Sequence, residues 1–182
     1  MKQFSCSTLS KTILLGIVAM IILAFPAITH AYSYQNNDFL FRLECPQQPV
    51  QVVPINGNER GVGLDFGPTD ADPYLWLIQV QPDNFIDPRP LSPADREKLL
   101  EALKKENYGT GKICESASFI NVGKYEGVLL LIRDPEDRLA ITMVQTERGC
   151  YLLTLVGSLS NDSDFNQKLQ IYKQGLLSFA TL

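Results

Sequence analysis

Histidine is nearly absent from this chain. Its 182 residues hold one, His30, inside the stretch Phe25-Pro-Ala-Ile-Thr-His-Ala-Tyr-Ser33. Lys2 and Lys11 give the N-terminus a positive charge, and no acid precedes Asp38. Ile13 to Phe25 carries no charge, Pro26 breaks the run, and Thr29-His30-Ala31 follows. A basic start, a short apolar core and small residues at that spacing are the build of a secretory signal, with the cut expected between Ala31 and Tyr32. The run is shorter than the ~20 residues of a spanning helix, so no membrane span is expected after cleavage. The alternative is an uncleaved N-terminal anchor; with the cut after Ala31, His30 leaves with residues 1–31. The remaining 151 residues contain no imidazole, which excludes Ser-His-Asp and Cys-His catalysis and His-ligated zinc.

Basic clusters are missing too. The chain has 16 Lys and Arg against 20 Asp and Glu. Loss of Lys2 and Lys11 leaves 14 against 20, a net charge of −6. Such a chain is a poor match for nucleic acid or anionic lipid, where cations supply most of the affinity. Lys104-Lys105 reads as the solvated last turn of a helix. Cysteine is scarce: Cys6 goes with the signal, and Cys45, Cys114 and Cys150 have no C-x-x-C spacing. Three thiolates cannot complete an all-cysteine zinc site. Gly61-Val-Gly63-Leu-Asp-Phe-Gly67 lies in a strand pattern with Pro68 behind it, the wrong context for a phosphate loop. A closely packed strand is the expected reason for those glycines. No metal, cofactor or catalytic residue is expected, and the chain is not expected to be an enzyme.

What is present is an α+β pattern. Asp38–Cys45 alternates, with Phe39, Phe41, Leu43 and Cys45 on one face. Val50–Ile55 is β-prone, Gly61–Phe66 repeats the alternation, and Tyr74–Gln81 is apolar on both faces, as a central strand is. Ser92-Pro93-Ala94-Asp95 caps a helix running to about Asn107, with Leu99, Leu100 and Leu103 inward. Lys112–Val122, Glu126–Arg133, Leu139–Thr146 and Cys150–Gly157 follow with short joints, an antiparallel meander. Phe165, Leu169, Tyr172, Leu176 and Phe179 recur at helical spacing in a segment that opens at Asn161-Asp162-Ser163, with Asp162 or Ser163 expected as the cap. The expected organisation is a signal over 1–31, a leader over 32–37 and one domain over 38–182. That domain is an antiparallel sheet of six or seven strands with two main helices packed on it.

This order of elements resembles the PsbP/Mog-like family. The residues that carry the resemblance are Gly149–Gly157 (GCYLLTLVG) and the helix end Gly175–Phe179 (GLLSF). After the first strand, Cys45-Pro46-Gln47-Gln48 departs from the aromatic-rich motif common in that family. The resemblance implies an accessory domain that binds proteins rather than an enzyme.

Pro82–Pro90 is irregular, with Phe85 and Ile86 between prolines. It is the candidate binding loop, because long irregular segments often carry function; the alternative is that both side chains tuck under the crossover. For the cysteines, the meander places Cys114 near Arg133, itself beside Arg138, and Cys150 near Thr146, about seven residues away along the strands. At ~3.3 Å per residue that exceeds a disulfide span, so a Cys114–Cys150 bond is excluded. Cys45 is left to pair with either one, or all three stay reduced. The expectation is an exported binding domain in the periplasm or cell exterior with an unidentified protein partner. The alternative is a small-molecule or lipid module, its pocket between sheet and helix lined by Trp76 and Tyr172.

Overall fold

A computed structural model describes residues 32–55, 60–67, 74–81, 91–158 and 162–182. Ten strands and two helices follow one another in it. They are β1 (Tyr32–Asn36), β2 (Phe41–Cys45), β3 (Gln51–Ile55), β4 (Arg60–Asp65), β5 (Tyr74–Gln81), α1 (Pro93–Lys105), β6 (Ile113–Val122), β7 (Tyr125–Arg133), β8 (Asp137–Thr146), β9 (Gly149–Ser158), α2 (Asp162–Ser178) and β10 (Ala180–Thr181). The main sheet has seven strands in the order β3-β4-β5-β9-β8-β7-β6, and a small sheet has the order β1-β2-β10. Every pairing in both is antiparallel. The fold is α+β, as the pattern of strands and helices indicates.

The meander is the part the short joints dictate. β6 to β9 return in order, and β9 closes against β5, so the segment with α1 crosses from the third strand to the far edge of the sheet. Cys114 lies opposite Ile132, Arg133 opposite Arg138 and Cys150 opposite Gln145. The expected register was therefore one residue off at both cysteines. β7 is apolar on both faces because both are covered. Val128, Leu130 and Ile132 face the α1 side, while Leu129 and Leu131 join the core under α2.

The two helices hold the sheet differently. α1 begins as its residues require: Ser92 Oγ accepts from the Asp95 N–H at 3.2 Å, Pro93 takes the first turn, and Lys104 and Lys105 end it. Yet none of its residues is fully buried. Leu99, Leu100 and Leu103 are half-buried. Arg96 anchors it, forming a forked pair with Glu126 and lying 3.8 Å over the Phe119 ring. α2 buries Phe165, Leu169, Tyr172 and Leu176 in the main core. Arg138 fastens its start, reaching Asp162 at 2.6 Å and Glu115 at 2.8 Å.

Two glycines set close approaches. A Cβ on Gly175 would lie 2.7 Å from the Trp76 ring and 2.8 Å from the Glu44 carbonyl, so α2 reaches both sheets only through a bare backbone. Gly61 lies so close to β5 that a Cβ would be 2.2 Å from the Ile78 carbonyl. That is the packed-strand reason for the glycine run.

Two expectations are corrected. Tyr32–Asn37 is not a leader outside the domain: Tyr32–Asn36 pairs residue for residue with β2, from Tyr32 opposite Cys45 to Asn36 opposite Phe41. Its composition is weakly β-prone; what makes it a strand is the open edge of β2 and the packing of Tyr34, 6.0 Å from Phe41. Phe39 lies in the turn before β2, half-buried against the core, where Asn36 Oδ1 accepts from the N–H of Asp38 and of Phe39. The chain also continues past α2, as β10 supplies the other neighbour of β2.

Candidate functional site

Trp76 and Tyr172 do not line a pocket. Each is 1% exposed, and their rings meet edge-to-face at 5.5 Å. The Tyr172 hydroxyl donates to the Leu153 carbonyl at 2.8 Å and lies 3.0 Å from the Thr142 hydroxyl. Burial pushes its pKa up, so it stays a neutral donor. The Trp76 indole nitrogen and the Tyr74 hydroxyl are close enough to interact electrostatically but complete no hydrogen bond of ordinary geometry. The pocket expected between α2 and the sheet is therefore filled, because α2 is drawn in at Gly175.

The most apolar open space is on the opposite face. A cleft of about 410 Å³ lies between α1 and the main sheet. Leu99 and Leu103 form the helical wall, and Leu130, Ile141, Met143 and Leu152 come from three adjacent strands. Glu106 and Tyr108 stand at the end of the helix. The Tyr108 hydroxyl donates to the Leu103 carbonyl at 2.7 Å, and burial pushes its pKa up to about 12. A smaller recess at Gln81 and Cys150 shares Met143 and Leu152 with this cleft. A more polar cleft of about 320 Å³ lies beside Asp38, Arg60, Arg148 and Tyr151.

The cysteines are divided by the sheet. Cys45 is buried in the core under α2, and Cys114 packs with the cluster under α1. Cys150 lines the recess with Met143, on the α1 face. None of the three is joined to another. A bridge from Cys45 to either partner would have to cross the sheet, which a Cα spacing of ~5.5 Å does not permit. The candidate pairing of Cys45 is corrected on that ground. Burial, with Glu44 adding to it, pushes the Cys45 thiol up to about 12, so it is unreactive. Cys114 is raised as well, chiefly by burial.

Phe85 and Ile86 lie outside the described residues, as does Ala31. Tyr32, the residue after the expected cut, is the first of β1. Among the described residues, no cluster of three His, Cys, Asp or Glu side chains is placed to hold a metal. Among them, no helix is long and apolar enough to cross a membrane.

The edge strands differ in protection. β6 is kinked by a bulge between Cys114 and Ser116, and Glu115 at that point pairs with Arg133 and Arg138. β3 has no charged side chain from Val50 to Ile55, and Val50, Val52 and Val53 are 69%, 47% and 42% exposed. Sequence reasoning read β3 as a strand but had no signal for its place at the sheet edge.

An antiparallel meander closed on a second strand group, with one helix on the crossover and one across the core, defines an α+β architecture. The arrangement is PsbP-like. The chain is similar to the solution structure of cyanobacterial PsbP (CyanoP) from Synechocystis sp. PCC 6803, with a TM-score of 0.56 and 10% identity over 87% of this chain and 96% of that one. No family model matches the sequence, and no curated protein matches it.

Proposed function

We propose that this chain is an exported, non-enzymatic accessory domain that acts by binding another protein. The observation that carries the reading is β3. An uncharged, valine-rich strand at a sheet edge offers free backbone groups and apolar side chains, the features an extended partner segment pairs with. Pro54 has no N–H to donate, and every second residue of Gln51–Ile55 is already bonded to β4, so a partner pairs with the alternate residues of the strand. The PsbP-like fold supports the reading, since the resemblance implies an accessory role. The expected cut directly before β1 supports export to the periplasm or cell exterior. Phe85 and Ile86 are a second candidate contact.

Proximity labelling in the host identifies the partner, and pull-down with variants locates the contact. Val52→Lys with Val53→Lys is expected to abolish capture without lowering Tm, because both side chains are already solvent-exposed. If capture survives there and is lost in Phe85→Ser with Ile86→Ser at unchanged Tm, the contact belongs to the loop instead. Capture unaffected by both pairs refutes both contacts.

A further inference from the structure

We infer that the cleft between α1 and the main sheet is a binding site for a small aliphatic molecule whose polar end is a hydrogen-bond donor. An alcohol, amide or amine fits this description; a free carboxylate or phosphate does not. The inference is independent of the protein-binding reading, which concerns a different face.

The volume, about 410 Å³, lies within the range of small-molecule sites, ~300–1,000 Å³. The space is bounded from two layers, Leu99 and Leu103 from the helix against Ile141, Met143 and Leu152 from the strands. One turn of a helix ~10–12 Å across and 5.4 Å in pitch occupies about as much space as the whole cleft. A partner helix would therefore need α1 displaced, whereas a single chain does not. Among the described residues the walls are aliphatic, with no aromatic ring apart from Tyr108 at the rim. Met143 adds the adaptable surface that accepts ligands of varied shape.

The rim decides the head group. The Tyr108 hydroxyl already spends its proton on the Leu103 carbonyl. Lys104 and Lys105 both turn to Glu101, at 3.1 and 3.9 Å. Glu106 lines the cleft, and among the described residues it has no ion pair. An anionic head would meet an uncompensated carboxylate; a donor would satisfy it. α1 itself is suited to admit a ligand. None of its residues is fully buried, and its side-chain anchor to β7 is Arg96 at the N-terminal end, one turn before Leu99.

Met143 is the only methionine after residue 31, which makes its methyl group a unique reporter inside the cleft. The purified chain, labelled with 13C at methionine methyls, is titrated with n-decanol, n-decylamine and decanoate. Saturable shifts of the Met143 resonance are expected for the first two, with decanoate at least tenfold weaker. Leu103→Trp and Ile141→Trp, each filling the cleft from a different layer, should weaken decanol binding at least tenfold while unrelated amide resonances stay in place. Glu106→Gln should narrow the gap between decanoate and decanol. If decanol leaves Met143 unshifted, or shifts it equally in wild type and a folded Trp variant, there is no site. Equal binding of decanoate and decanol overturns the assignment of the head group.

Discussion

Gly175 serves this molecule through what it lacks, because its missing Cβ lets α2 touch both sheets at once. A methyl group there meets the Trp76 ring and the Glu44 carbonyl below 3 Å. Gly175→Ala is expected to cost about 1–3 kcal/mol by overpacking, read by urea denaturation. Glu147 is a residue whose charge state matters at low pH. The Tyr125 hydroxyl donates to it, with Lys124 at 3.1 Å and Thr181 at 3.0 Å, and its pKa falls to about 2. A depressed carboxylate adds stability above the unfolded value, near 4.5, and that stability is lost as pH falls toward 2. The Tm gap between wild type and Glu147→Gln should therefore be present at pH 6 and close between pH 4.5 and 2. A gap constant across that window would mean Glu147 acts by packing alone. The thiols follow burial: Cys114, half-exposed at the bulge, should react with a maleimide at pH 8 well before Cys45.

The helices read alike in sequence and behave differently in the fold. Both carry apolar residues at helical spacing, but α2 sits across the core and α1 rests on the sheet through half-buried leucines. Leu169→Ala should cost about 2–5 kcal/mol, the range for a buried leucine, and Leu99→Ala about 1 kcal/mol. Amide exchange should open α1 well before α2 and the central strands β5 and β9. Equal protection in both helices would contradict the picture of α1 as the loosely held wall of a cleft. β1 belongs to this scale too. Deleting Tyr32–Asn36 uncovers the edge of β2 and removes Tyr34 from Phe41. The expected fall in Tm is about 4–8 °C, which ~2 kcal/mol produces in a domain of this size.

For the whole molecule, the sheet separates two environments. One face is closed by α2 and the small sheet, and it holds Trp76, Tyr172 and most of the large aromatics. The other is covered by α1 in part, and an apolar cleft of about 410 Å³ is left there. This division explains why Cys45 lies apart from Cys114 and Cys150. Among the described residues it also leaves β3 without a second neighbour at one edge, while β6 is bulged and ion-paired at the other. Export belongs to this scale as well. N-terminal sequencing of the exported protein should begin at Tyr32; a chain retaining His30 would restore an imidazole to the chemistry under consideration.

The sequence by itself determined the strands of the meander, both helices, the cap of α1 and the α+β class. Those depend on local period, turn residues and short joints, all written within a few neighbouring positions. It also determined that residues 32–182 contain no imidazole. Only the tertiary structure decided which helix closes tightly, which strand stands at an edge, and where space remains. Leu99 and Leu169 look equivalent in a helical pattern, and Trp76 and Tyr172 look as ready to line a pocket as Ile141 and Met143. What separates them is how closely each layer approaches the next, and that distance is set by contacts such as Gly175 against Trp76, a hundred residues apart in the chain.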